Sequence, residues 1–167
     1  EYFGIDEDKK VDLIFPNVDT DPYTSDLNTQ AQETLDEIFG AENYDVGHLF
    51  AYVNNGGNGN AGTVGSVCQN GIKGGAFSAH SFQGTANDPY LNDHFDIDYV
   101  AHEIAHQFGA FHTFSYNNEF EGFSSEPGSG STIMGYAGIV GLDNVQLHSD
   151  PYFHYHSIQN INEYLGS

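Results

Sequence analysis

Apolar residues in the first half of the chain form short blocks separated by turn-forming residues. The blocks at 11–15 (VDLIF) and 46–53 (VGHLFAYV) are rich in β-branched and aromatic residues and predict strands. The runs at 63–68 (TVGSVC) and 72–77 (IKGGAF) are separated by Gln-Asn-Gly, which favours a β-hairpin. The glycine-rich segment 54–62 (NNGGNGNAG) predicts an irregular, flexible loop.

Two further segments have apolar residues at helical spacing. The first is predicted to begin at Ser25 as N-cap and to end before Gly40. Its apolar face consists of Leu27, Ala31, Leu35, Ile38 and Phe39. The second lies at the end of the chain, where Ser157 is the predicted N-cap. Its apolar residues are Ile158, Ile161 and Leu165.

A third helix is predicted near the middle of the chain. Its apolar positions are Val100, Ala101, Ile104, Ala105 and Phe108. Asp96 or Asp98 offers an N-cap for a start at about Tyr99, and Gly109 predicts the end. The polar segment 115–130 that follows predicts irregular chain. This mixture of strands and helices favours an α+β fold with a mixed sheet, and the length suits a single domain over residues 1–167.

The charge balance excludes several partners. The chain has 24 acidic residues, three lysines and no arginine, which gives a formal net charge of −21. Such a surface repels nucleic acids and anionic lipids, and no apolar run is long enough for a membrane span. The acidity fits solubility, a salty medium or bound Ca²⁺, although no stretch has the spacing of an EF-hand loop. We expect a monomer, and the single cysteine, Cys68, excludes an internal disulfide.

The strongest signal is the segment HEIAHQFGAFH, which runs from His102 to His112. His106 lies four residues after His102, so on a helix both rings share one face and can bind one ion. Glu103 can reach a metal-bound water, and Gly109 can turn the chain so that His112 becomes a third ligand. Three protein ligands leave a position open, as in catalytic zinc sites. A bare His-Glu-x-x-His arises often by chance, so the glycine and the third histidine carry the prediction.

The remaining histidines lack such spacing and are predicted to be surface or core residues. They are His48, His80, His94, His148, His154 and His156.

The extended motif resembles that of the metzincin zinc peptidases, which also have a methionine turn beneath the metal. The only methionine, Met134, stands in the glycine-containing segment STIMGY, 22 residues after His112. The wider sequence resembles the reprolysin-like (adamalysin-type) peptidases, bacterial members in particular. The similar stretches are 44–50, 95–114, 126–141 and 149–158.

The resemblance implies a twisted mixed sheet with a backing helix and the active-site helix above a cleft. The methionine turn and a C-terminal helix would lie below it. In the family a strand and a long helix precede the strand that residues 11–15 resemble. Three alternatives follow: this chain lacks those two elements, a separate piece supplies them, or residues 11–15 correspond to a different strand of the family. Thr113 stands where animal relatives have aspartate. Val140 stands where relatives have cysteine, and Cys68 has no partner cysteine, so the family's disulfides are not expected.

The resemblance implies a secreted, zinc-dependent endopeptidase that acts on proteins or peptides, with Glu103 as general base. Gly109 and Met134 would be structural residues of the site. Tyr136 follows Met134 by two residues. In some metzincins a tyrosine there binds zinc at rest and later holds the oxyanion, whereas the alternative here is a packed tyrosine.

Two segments are expected to contact substrate. An extended peptide would pair with the strand predicted at 63–68, and thus with Val64, Gly65 and Ser66. The small and aliphatic residues Ala137, Gly138 and Ile139 would wall the pocket for the side chain after the cleaved bond, with an apolar preference.

Two other functions remain open. The chain could be a binding module that kept its zinc site, although the intact Glu103 argues against this. It could also be an inactive fragment that needs a missing N-terminal part.

Overall fold

The computed structural model of the chain describes residues 2–4, 12–14, 23, 25–52, 56–81, 92–117, 119 and 122–166. Two short strands, β1 (Tyr2–Gly4) and β2 (Asp12–Ile14), pair antiparallel. A second sheet contains β3 (Leu49–Tyr52), β4 (Gly57–Asn60) and β5 (Phe77–His80) in the order β3-β5-β4. Because β5 is parallel to β3 and antiparallel to β4, the predicted mixed sheet is confirmed.

Helix α1 (Leu27–Phe39) packs on this sheet. Its N-cap is Asp26 rather than the predicted Ser25, because the Asp26 carboxylate accepts a hydrogen bond from the Thr29 amide at 3.2 Å. The helix ends at Gly40, as predicted. The first core cluster comprises Ala31, Leu49, Phe77 and Ala79, with Tyr23, Leu27 and Ala51 packed against it. Of the predicted apolar face, Ile38 is exposed.

The interpretation of residues 54–77 was wrong in two respects. The glycine-rich segment contains β4, and the predicted hairpin is a series of turns that precedes β5. Glycine is tolerated in β4 because that strand lies directly on side chains of the metal-motif helix. The amides of Gly65 and Ser66 bond to the carbonyls of His106 and Gln107, and this replaces cross-strand pairing.

The metal motif lies on a continuous helical segment of two geometries. A π-helical turn (Asp96–Ala101) leads into α2 (His102–Gln107). The helix stops just before Gly109, which has φ +95° and is the predicted stop. Neither Asp96 nor Asp98 is an N-cap, because the helical segment begins before both of them. The Asp98 carboxylate instead accepts hydrogen bonds from His148 Nδ1 at 2.7 Å and from the Ser149 amide at 2.8 Å.

The terminal helix α3 (Tyr155–Leu165) packs against the second core cluster, which comprises Ala105, Ala110, Ile133 and Met134. Its N-cap is His154, whereas the predicted cap, Ser157, is fully buried within the helix. Ile161 faces this cluster, but Ile158 and Leu165 are exposed. The Tyr164 hydroxyl donates to the carbonyls of Gly65 and Val67 at 2.8 and 2.9 Å. Helix α3 thereby holds the turns that follow β4.

The architecture is α+β and is consistent with a metzincin-like fold, as expected. In the described part of the chain, none of the helices has the length and apolar character that crossing a membrane requires.

Candidate metal centre

Three histidine rings converge on one point. The Nε2 atoms of His102, His106 and His112 lie 3.0–3.2 Å from one another. The first two project from the same face of α2, as their spacing predicts. The third reaches them because Gly109, at φ +95°, reverses the chain after the helix.

The hydrogen bonds of the Nδ1 atoms define which ring nitrogen carries the proton. His102 Nδ1 donates to the Ile133 carbonyl at 2.6 Å, and His106 Nδ1 donates to the Ala110 carbonyl at 2.7 Å. His112 Nδ1 donates to the Glu119 carboxylate at 2.6 Å. Because each Nδ1 is a donor, each neutral ring presents the lone pair of its Nε2 atom to the other two.

The surroundings keep the rings neutral. Burial, together with the two neighbouring imidazoles, holds the pKa of His102 well below its ordinary value. Burial and then His112 lower the pKa of His106 to about 4. Burial also lowers the pKa of His112, although Glu119 opposes that effect. Neutral imidazole is the form that binds a metal ion.

This donor set fits zinc. Three acceptor nitrogens so close together cannot hydrogen-bond to one another, and a cation between them would satisfy all three lone pairs. A tetrahedral zinc ion bound at about 2.0–2.1 Å holds its ligand nitrogens roughly 3.3 Å apart, close to the separations found here. Within the described ranges, no second group of three or more His, Cys, Asp or Glu side chains converges in this way, and bound calcium stays a prediction.

Glu103 lies beside the triad and faces the cleft. Its side chain is largely buried and lines both cavities that meet at the histidines. Burial raises the pKa of Glu103 to about 7, against the opposing effect of a hydrogen bond from the Ala61 backbone. Gly59 of β4 packs directly on the carboxylate, since a Cβ atom at that glycine would lie 2.5 Å from Glu103 Oε1.

The larger cavity, of about 350 Å³, extends from the triad along the π-helical turn. Ala137, Gly138 and Ile139, which are predicted to wall a substrate pocket, line this cavity. Tyr136 lines both cavities, and its ring centroid lies 4.5 Å from that of His112 and 5.8 Å from that of His102. Burial, with Glu119 and Glu103 nearby, raises the pKa of the Tyr136 phenol.

The other expected substrate segment lies differently. Residues 63–68 form no strand, and the Gly65 and Ser66 amides are bonded within the chain to His106 and Gln107. Ser66 is also fully buried. Val64 lines the smaller of these two cavities, whereas Gly65 and Ser66 line neither. The edge strand next to Glu103 is β4.

Met134 is fully buried in the second core cluster with Ala105, which precedes His106, and Ala110, which follows it by four residues. Its carbonyl accepts a hydrogen bond from the Thr113 amide at 3.1 Å, next to the ligand His112. The segment around Met134 therefore contacts the chain on both sides of the helix end.

A buried carboxylate joins the same two segments. Glu126 accepts hydrogen bonds from the Thr113 hydroxyl, the Thr132 hydroxyl at 2.6 Å, and the Ser131 and Thr132 amides at 2.9 and 3.1 Å. Burial raises the pKa of Glu126, but these hydrogen bonds together bring it below its ordinary value. The Thr113 hydroxyl thus contacts a carboxylate that lies 13 residues further along the chain.

Several cleft residues have no indication in the local sequence pattern. Glu119 follows His112 by seven residues in an irregular segment, and β4 was interpreted as a loop. Three histidines that lacked motif spacing also line the larger cavity: His80, His94 and His148. The rings of His94 and His148 stack with their centroids 3.4 Å apart. His148 also contacts Asp98, but these residues lie 50 positions apart, so no local sequence pattern indicates that contact.

Comparison with known proteins agrees with this geometry. The profile of the family described as metallo-peptidase family M12B, reprolysin-like, matches residues 9–164. No curated protein and no solved structure matches the chain significantly. The family match spans most of the sequence and includes all three histidines of the triad. The chain therefore belongs to the reprolysin-like metallopeptidases of family M12B.

Proposed function

We propose that this chain is a zinc-dependent endopeptidase, with His102, His106 and His112 as zinc ligands. The observation that carries the proposal is the convergence of three Nε2 lone pairs beside the buried carboxylate of Glu103. Membership of a metallopeptidase family supports hydrolysis of peptide bonds in protein or peptide substrates.

Zinc, when bound, supplies Lewis acidity that polarises the scissile carbonyl and lowers the pKa of water. Glu103 is the general base in this proposal. Its carboxylate takes a proton from the attacking water and returns it to the leaving amine. A pKa near 7 suits both roles, because the group can accept and release a proton near neutral pH. The Ala61 backbone and Gly59 keep the carboxylate in place at the cleft.

Tyr136 is the proposed oxyanion donor. Its ring lies against His102 and His112 at the junction of the two cavities. The raised pKa keeps the phenol protonated, so its hydroxyl can donate a hydrogen bond to a developing negative charge. We further infer that the segment around Met134 is the methionine turn of this family. Its contacts with the ligand-bearing segments support that assignment.

Substrate is proposed to bind along β4. This strand is at the edge of its sheet and passes over Glu103, so an extended peptide added to it would cross the triad. The side chain after the cleaved bond would enter the larger cavity at Ala137, Gly138 and Ile139. We propose an apolar preference there, and we propose that the chain acts as a secreted, monomeric, single domain.

The deciding experiment uses a peptide acetylated at one end and amidated at the other, with an internal fluorophore and quencher. Cleavage of this doubly blocked peptide that stops with a chelator and returns with zinc would support a zinc endopeptidase. Absence of cleavage by zinc-loaded protein would favour a binding module, and failure to fold would favour a fragment.

Glu103→Ala tests the base. We expect the variant to keep stoichiometric zinc and to lose hydrolysis, because the ligands are intact. Glu163→Ala, which removes an exposed glutamate from α3, is the matched control and should retain activity. If Glu103→Ala kept most of the wild-type rate, Glu103 would not be the base.

A further inference from the structure

The three ligand rings are held by acceptors of two different kinds. His102 and His106 donate to main-chain carbonyls of Ile133 and Ala110, residues of the second core cluster. His112 instead donates to a side chain, the carboxylate of Glu119, at 2.6 Å. The Glu119 side chain is 35% exposed and that of His112 is 15% exposed, so this contact lies at the rim of the site.

We infer that Glu119 is a positioning residue for the third zinc ligand, an inference that rests on the proposed zinc-dependent function. A carboxylate acceptor fixes the plane of the His112 ring and keeps the proton on Nδ1, so that Nε2 faces the other two ligands. A charge-assisted hydrogen bond is stronger than one to a neutral carbonyl, and it also makes the imidazole a better electron-pair donor.

The same carboxylate connects the ligand to the cleft wall. Glu119 lines the smaller cavity together with Val64, Phe111 and Tyr136. Its negative charge contributes, after burial, to the raised pKa of the Tyr116 and Tyr136 phenols. Glu119 thus contacts both the His112 ring and the wall of the smaller cavity.

Thermodynamic linkage gives this arrangement a second consequence. If the contact with Glu119 strengthens zinc binding by some factor, bound zinc strengthens the contact by the same factor. Zinc should therefore protect the backbone around Glu119 from hydrogen exchange, and the protection should require the carboxylate.

The test measures zinc affinity by competition with a chromogenic chelator. For Glu119→Ala we expect an affinity about 10–100-fold weaker than wild type, the usual effect of losing such a partner. Glu119→Gln, which keeps an oxygen acceptor but loses the charge, should lie between the two. Glu163→Gln removes the same charge from α3 and should bind zinc like the wild type.

Two further readouts separate positioning from general stability. The melting temperature of metal-free Glu119→Ala should equal that of metal-free wild type, because the side chain is partly exposed. Zinc should slow exchange in the peptide that contains Glu119 in wild type and much less in Glu119→Ala. A zinc affinity of Glu119→Ala within twofold of wild type would overturn the inference. So would a melting temperature that falls by the same amount in metal-free as in zinc-loaded Glu119→Ala. Wild-type protein that bound no zinc would overturn the proposed function as well, which distinguishes the two failures.

Discussion

A single methyl group added at Gly59 should displace the proposed base without touching a zinc ligand. Gly59 lies in β4 directly over Glu103, and the new Cβ atom would be 2.5 Å from Oε1, 2.7 Å from Cγ and 2.9 Å from Cδ. All three atoms belong to the Glu103 side chain, so a rotation that relieves the overlap also moves the carboxylate. Either the carboxylate or the strand must shift.

The size of the effect follows from these distances. Ordinary carbon–oxygen contact is near 3.5 Å, so Gly59→Ala requires a displacement of roughly 1 Å. A misplacement of that size typically costs about 10²-fold in rate. Overpacking costs about 1–3 kcal/mol of stability, part of which is offset because alanine loses less conformational entropy than glycine. We therefore expect kcat to fall about 10²-fold while the protein stays folded and zinc-bound.

The assay compares kcat/KM, zinc content and melting temperature of Gly59→Ala with those of wild type. Glu163→Ala, which removes an exposed side chain of α3, is the control. A Gly59→Ala enzyme with full zinc content and activity within threefold of wild type would refute the placement of Glu103 against β4. A variant that lost its zinc would show that β4 supports the ligands, contrary to this reasoning.

Three further outcomes are expected. Tyr136→Phe should lower kcat about 10²–10³-fold with little change in KM if the hydroxyl holds the oxyanion; a packing role predicts nearly unchanged kinetics. Gly109→Ala should lower stability by about 1–3 kcal/mol more than Gly71→Ala, because both have positive φ but only at Gly109 would the Cβ meet Tyr164; equal melting temperatures would contradict this. Glu126→Gln should have a lower free energy of unfolding than wild type. The difference should be largest above the ordinary carboxyl pKa and should shrink as pH falls through the lowered pKa of Glu126 in the folded state; a difference in free energy of unfolding that stays constant from pH 7 to pH 3 would contradict this.

The three histidines of the metal centre could be predicted from sequence because they lie close together along the chain, at spacings that local backbone geometry brings to one point. A helical repeat places His102 and His106 on one face, and a single glycine positions His112. Strand β3 lies within the predicted range 46–53, and α1 and α2 stop just before the predicted glycines. Each of these features depends on neighbouring residues in the chain. The N-caps were less predictable, because Ser25 and Asp26 are both acceptable caps and only the backbone geometry selects one.

The errors concern residues whose role depends on distant partners. NNGGNGNAG has no intrinsic preference for a strand, yet β4 forms because β5 offers a pairing edge and Glu103 and Tyr99 leave no room for side chains. Conversely, TVGSVC has suitable strand residues, but its amides bond to the end of α2. Long-range contacts override local propensity in both cases.

The hydrogen bonds that hold the three histidines separate the contribution of the core from that of the residues after His112. The carbonyls that orient His102 and His106 come from buried segments, and Glu126 joins the chain at Thr113 to the turn before Met134. Contacts with buried residues therefore hold the backbone on both sides of His112, at Ala110 and at Thr113. What the core does not supply is an acceptor for His112 Nδ1, and Glu119 provides it from the loop. A change in that loop should consequently alter zinc affinity through one ring, while the remaining two ligands and the fold keep their geometry.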